Sequence, residues 1–237
     1  METKKILQEW TNGYESVYHL NDDFEDSTSN NYDATNSGTS DIVGLLTDAQ
    51  DFEGSDNSDH LDLGTWNVAG DDLTIQTWAK FESFTEPSRL LSKAQSTTAT
   101  DNHVYALGVD TSGLPFFYLK SCDVDSCATS VLSDSDSLQS GRWNLVTATY
   151  DGSSMRLFVN GTQIAISSES GDIRQNSWDI YAGNNPTALD RDFDGILDEI
   201  RISSNARSGN WLTAEYNNQV SSETFYSLGI PEQFGFT

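Results

Sequence analysis

Three kinds of side chain in this sequence have the type and spacing to do chemistry: carboxylates, aromatic rings and one pair of thiols. Asp190-Arg191-Asp192-Phe193-Asp194-Gly195 places oxygens at alternate positions before a glycine, as a calcium-binding loop does. Its twelfth position is Arg201 rather than a bidentate glutamate. The run is therefore read as a turn feeding a strand, with Asp190 or Asp192 still able to bind a cation locally. Glu53 to Asp59 forms a second acidic cluster, a hairpin loop able to hold a surface cation. Asp198 and Glu199 are adjacent, so a strand would aim them at opposite faces. A retaining glycosidase needs two carboxyl groups about 5–5.5 Å apart across one bond, so the pair does not suggest catalysis. Trp66, Tyr105, Tyr118 and Trp178 are candidate plates for the apolar face of a sugar ring. Asp101, Asn102 and His103 lie in a polar loop beside Tyr105, and Asn184 and Asn185 follow Tyr181. For each of these, packing is the competing reading. Trp143 and Trp211 are read as core. Cys122 and Cys127 have no second cysteine pair or nearby histidine to complete a zinc site. They are read as a local disulfide worth about 2 kcal/mol, which implies an oxidising compartment. No serine elbow, P-loop, zinc motif or dinucleotide glycine pattern occurs.

The elements that must position these groups are almost all strands. Short apolar–polar alternation recurs between Gly, Asn, Asp and Ser clusters, and helical periodicity is nearly absent. In Leu73–Phe81 the alternation puts Leu73, Ile75, Thr77, Ala79 and Phe81 on one face. Trp78 on the other face implies that this face is partly covered too. Asn160-Gly161 between two apolar runs predicts a type I′ hairpin, because both positions tolerate positive φ. Asn160 also opens the one glycosylation sequon, read here as turn chemistry first. One helix is expected over about Gly209–Gln219, capped by Ser208 and packed on the sandwich. The Asp/Ser/Thr/Asn-rich stretch Asp22–Ser40 is read as loop, and Glu223–Leu228 as a last strand.

The chain has 237 residues, 12 Lys+Arg against 37 Asp+Glu and a net charge of −25. Such a chain repels phosphate backbones and anionic headgroups, which argues against nucleic acid and acidic membranes as partners. No apolar run is long enough to cross a bilayer as a helix, so no membrane insertion is expected. Cations and neutral polymers stay open as partners, and so does acidity as a plain solubility device. The first residues, METKKILQEW, lack the apolar stretch of a signal peptide. Two readings follow: a leader already removed, or a piece of a longer protein.

Several segments in order resemble laminin-G-like, concanavalin A-like domains of prokaryotic surface proteins. They are NGYESVYHLNDDFEDSTSNNYDATNSGT, AQDFEGSDNSDHLDLG, LTIQTWAKF, RWNLVTATYDGSSMRLFVNGTQI and FDGILDEIRISSNARSGNWLTAEYNNQ. The resemblance implies an all-β jelly roll of two stacked antiparallel sheets, one concave and one convex, with a short C-terminal helix. It divides the chain into an N-terminal extension or linker (1–12), the sandwich (13–230) and a tail (231–237). It implies further that the loop after the first strand lies beside the closing strand. A structural Ca²⁺ would then be held by Asp26 and Asp198, with loop carbonyls near Asn31. The competing reading for Asp26 is an Asx-turn on its own backbone. No E-x-D-x-x-E strand of the laminarinase type is present, and no lyase-type Arg/Gln/His/Tyr motif. The expected function is a non-catalytic carbohydrate-binding or adhesion module, extracellular or on the cell surface. Its expected partners are a polysaccharide or glycan and other extracellular protein domains. The alternative is a spacer or assembly subunit of an extracellular complex, and a hydrolase or lyase comes last.

Overall fold

A computed structural model gives the fold, and the structure describes residues 10–54, 58–94, 103–121, 130–133, 137–186 and 189–221. Cys122, Cys127, Asn102, Glu223–Leu228 and the tail 231–237 lie outside the described residues.

The first sheet is centred on β6 (Asp72–Phe81), the strand whose alternation was plainest in the sequence. Leu73, Ile75, Ala79 and Phe81 are buried in the core, as the pattern requires. On one side β6 pairs with β11 (Trp143–Asp151), which continues to β12 (Ser154–Val159) and β13 (Thr162–Ser168). On the other side it pairs with β15 (Gly195–Ser203). β15 in turn contacts β4 (Asp48–Phe52) and β1 (Tyr14–Tyr18), and β4 carries the edge strand β3 (Ser40–Val43). The second sheet runs β10 (Ser130–Ser133), β9 (Pro115–Leu119), β8 (His103–Val109), β7 (Ser88–Ala94), β14 (Ile180–Ala182), β5 (His60–Asp62) and β2 (Thr35–Ser37). All pairings are antiparallel. One continuous core, including Phe52, Tyr105, Leu107, Phe117, Val146 and Ile202, fills the space between the sheets.

The stretch expected as loop up to Ser40 instead yields β2 and the start of β3, one strand for each sheet. Every residue of both strands is exposed, and neither carries an apolar–polar alternation that would mark it. The hairpin at Asn160-Gly161 forms as expected, with φ of 54° and 73°. A Cβ on Gly161 would also lie 2.8 Å from the Thr213 backbone. The helix α1 (Gly209–Val220) docks on this turn, and Thr213 Oγ1 donates to the Gly161 carbonyl at 2.8 Å. Ser208 caps α1 by accepting from Trp211 N–H at 3.3 Å. α1 covers the outer face of the first sheet, where Trp78 Nε1 donates to Gln219 at 2.6 Å and Gln76 Nε2 to Glu215 at 3.0 Å. Trp78 is covered, as its place on the polar face implied.

Candidate functional site

Where α1 leaves the outer face of the first sheet uncovered, a cleft of about 520 Å³ opens. It is lined by Gln139, Arg142, Trp143, Asn144, Asn160 and Tyr216 among others. Trp143 opens β11 opposite Lys80, two residues before Leu145 pairs with Trp78. That register puts Trp143 on the row of Trp78, beyond it along the strand. Tyr216 comes from α1 and is tilted against Trp78 at 5.6 Å. The hairpin supplies Asn160, which accepts Leu145 N–H at 2.9 Å and donates to Asn144 Oδ1 at 3.2 Å. Asn144 donates to the Arg142 carbonyl at 3.0 Å. The two amides are thus locked in place, while Arg142 and Gln139 reach solvent. The result is a half-buried indole and phenol beside planar amides and a guanidinium. Such a set can take the C–H face of a sugar ring and hydrogen-bond its hydroxyls.

Trp143 was expected in the core and is not: it is half-buried and lines this cleft. Trp211 is likewise corrected, being 46% exposed. On β11 the core-facing residues are Val146, Ala148 and Tyr150, on the face opposite Trp143. A second cavity of about 390 Å³ lies at Trp211 with Trp10, Tyr14, Leu46, Arg201 and Glu215. Here Arg201 sits 4.9 Å over Trp10, and Arg207 lies 4.3 Å over Tyr14 and 5.1 Å over Trp211.

Of the sequence-derived ring candidates, Tyr105 faces inward with Leu107 and is fully buried, so it is a core residue. Burial pushes its hydroxyl far above the ordinary phenol range. Trp66 is also buried; its Nε1 donates to the Leu63 carbonyl at 2.8 Å and its ring is stacked 4.8 Å from Tyr32. Neither offers a free ring face. Tyr118 and His103 do come together, with ring centroids 5.3 Å apart. Arg89, which the sequence reading did not single out, completes that group 5.1 Å over Tyr118. Asn184 and Asn185 are buried and satisfied by Asp192 at 2.6 Å and Ser92 at 3.0 Å. Trp178 is half-buried under Arg174 at 5.3 Å.

The two carboxylates expected to share an ion face different partners. Asp26 accepts four hydrogen bonds: Val17 N–H and Thr28 N–H on Oδ1, Thr28 Oγ1 and Tyr32 N–H on Oδ2. These use the acceptor capacity of a carboxylate, so Asp26 does not fit a cation. Asn31 is exposed and donates to the Ser29 carbonyl at 2.8 Å. Asp198 does fit. Its Oδ2 accepts Leu45 and Leu46 N–H, while its buried Oδ1 has no hydrogen-bond partner. Burial pushes this carboxyl up to about 6, against the lowering effect of the two N–H groups. Among the described residues no group of three or more His, Cys, Asp or Glu is placed to hold a metal. Glu199, at φ 54° in the bulge of β15, turns instead to His19 at 2.6 Å and Arg201 at 2.5 Å.

The Laminin_G_3 family model, described as Concanavalin A-like lectin/glucanases superfamily, matches residues 55–213, well over half of the chain. The chain belongs to this superfamily. Its fold recurs in solved structures at low identity. Domain 4 of AbnA, an extracellular arabinanase of Geobacillus stearothermophilus solved with arabinotriose, is 18% identical with a TM-score of 0.63. That match covers 85% of this chain and 97% of the other. The binding domain of Paraclostridial Mosquitocidal Protein 1 is 17% identical with a TM-score of 0.67, covering 87% of this chain and 52% of that one. A pentraxin of Limulus polyphemus is 15% identical with a TM-score of 0.55, covering 74% and 84%. No curated protein matches in sequence. At these identities the solved structures show the shared concanavalin A-like fold.

Proposed function

We propose that this concanavalin A-like domain is a non-catalytic carbohydrate-binding module that works outside the cell or on its surface. The observation that carries the reading is the cleft of Trp143 and Tyr216 beside Arg142, Asn144 and Asn160. The amides there are already held by backbone and by each other, so little ordering entropy is left to lose on binding. The arabinotriose bound by the AbnA domain supports a glycan as ligand. Glu199 and Glu215 both bond Arg201, which neutralises them as hydrolytic carboxylates. The test is a screen of neutral plant and marine oligosaccharides followed by calorimetry on Trp143→Ala. Removing the ring is expected to weaken binding more than tenfold, the loss typical of an aromatic anchor at about 2 kcal/mol. Unchanged affinity in the variant would remove the cleft as the site, and binding to no glycan would remove the function.

Calcium at Asp198 is a separate part of the proposal, supported by the unpartnered Oδ1. When bound, the ion would neutralise a buried carboxylate and tie the 44–46 loop to β15. A second reading, an assembly subunit, is favoured by one observation: all four residues of edge strand β3 are exposed, with Val43 at 79%. Solution mass of a Val43→Lys variant tests it.

A further inference from the structure

The second sheet carries a cluster whose charge is opposite to that of the molecule. Arg89 on β7 pairs with Gly108 on β8, and Gly108 pairs with Phe116 on β9. A Cβ on Gly108 would lie 2.6 Å from the Phe116 ring, so the glycine lets that ring lie across it. The Arg89 guanidinium sits 4.7 Å over Phe116 and 5.1 Å over Tyr118, and these rings stack on each other at 4.6 Å. His103 meets Tyr118 edge-on. Arg89 and His103 are each 3% exposed, and Tyr118 is the member that keeps contact with solvent.

These groups are not satisfied where they stand. Arg89 Nε and both ring nitrogens of His103 are buried without a hydrogen-bond partner. Among the described residues no carboxylate is within ion-pair distance of Arg89; Asp190, the acid that acts on it, is paired with Arg191 at 3.6 Å. Arg89, Arg191 and Lys120 all raise the positive potential at His103. Together with burial, the larger effect, they push its ring down to about 4. A buried guanidinium stacked on two rings and lacking an anion is costly to keep. Next to it Ser92 and Asn185 bond each other, so these two neutral side chains do not supply the missing partners. A ligand that supplies acceptor oxygens would serve the Arg89 guanidinium and the one N–H of the neutral His103 ring.

We propose that Arg89 and His103 form a recognition site for an anionic sugar substituent, a uronate carboxylate or a sulfate ester, with Tyr118 as the ring beneath the sugar. The ligand class rests on the glycan reading, but the site is distinct from the Trp143 cleft. It would select acidic polysaccharides despite a net charge of −25, because the local field is positive and water-poor.

The test is calorimetric titration of the whole chain with oligogalacturonate, a sulfated galactan oligosaccharide and a neutral galactan oligosaccharide of equal length. Sodium acetate and sodium sulfate serve as the free anions. At least one acidic oligosaccharide is expected to bind tenfold or more tighter than the neutral one. Arg89→Gln and His103→Gln are expected to erase that preference while leaving neutral binding intact, and Trp143→Ala to do the reverse. Tyr118→Ala carries the test if the Arg89 variant does not fold by circular dichroism. Equal affinity for acidic and neutral chains, or a preference that survives both substitutions, overturns the proposal. If neutral binding persists and is lost in Trp143→Ala, the glycan reading stands without it. If no glycan of any charge binds, both fall. Binding of the free anions alone, with no sugar preference, overturns the sugar assignment.

Discussion

Asp26 holds the first loop to the sandwich through four donors drawn from three places in the chain. Val17 belongs to β1, Thr28 to the turn two residues on, and Tyr32 to the return path. The residue is 4% exposed, so the replaced solvent bonds are few. Hydrogen bonds to a charged acceptor are worth more than neutral ones. Asp26→Ala is therefore expected to cost about 3 kcal/mol in urea unfolding, from lost bonds and stranded N–H groups. Asp26→Asn keeps only one acceptor oxygen and should lose about half as much. A variant within about 0.5 kcal/mol of the parent would show that the loop is not anchored here. Of this arrangement the sequence displays the local part: Asp26 followed two residues later by Thr28 reads as an Asx-turn. The bonds to Val17 and Tyr32 depend on how the loop folds back, which spacing does not encode.

At the scale of elements, what was legible was what is amphipathic. β6, the Asn160-Gly161 hairpin and α1 announce themselves because apolar residues recur at a regular spacing and the turn and cap chemistry is specific. β2 and β3 do not, since Thr35–Ser37 and Ser40–Val43 bury nothing. The cleft was missed for a related reason: Trp143 shares a strand with Leu145 and Val146, and only the register against β6 and the reach of α1 show its ring at an open edge. His103 and Tyr118 were visible only as separate candidates, His103 beside Tyr105, and strand pairing alone brings them together with Arg89. β3 also carries a liability. It ends the first sheet with Ile42 and Val43 at 36% and 79% exposure and unpaired edge groups. Concentration-dependent dimers are expected by light scattering, and Val43→Lys should return them to monomers, since a charge blocks strand addition. A parent chain that stays monomeric at every concentration would remove the assembly reading.

For the whole molecule, the net charge understates the asymmetry of the surface. Among the described residues Arg89, Lys93, Lys120, Arg201 and Arg207 are buried, where the whole chain has 12 basic residues. Among the described residues only Asp26, Asp59, Asp198 and Glu199 are buried, of 37 acids. Positive charge is spent on internal struts, such as Arg201 between Glu199 and Glu215, and the exterior is left strongly anionic. Such a surface repels itself, and salt relieves the repulsion as the Debye length shrinks from about 30 Å at 0.01 M to about 10 Å at 0.1 M. The melting temperature is expected to rise by several degrees over that range of NaCl, roughly 1 kcal/mol or more of relief. Calcium can be separated from screening in the same experiment. At matched ionic strength, CaCl₂ should add a further rise that chelator reverses and magnesium does not reproduce, because Mg²⁺ demands a tighter octahedron. That increment should vanish in Asp198→Asn, where the free carboxylate oxygen of the buried pair is neutralised. Equal effects of sodium, magnesium and calcium at matched ionic strength would assign all of the stabilisation to screening and leave Asp198 as an uncompensated buried acid. Asp198→Asn would then raise the melting temperature at neutral pH, since ionising a carboxyl pushed up to about 6 opposes folding there.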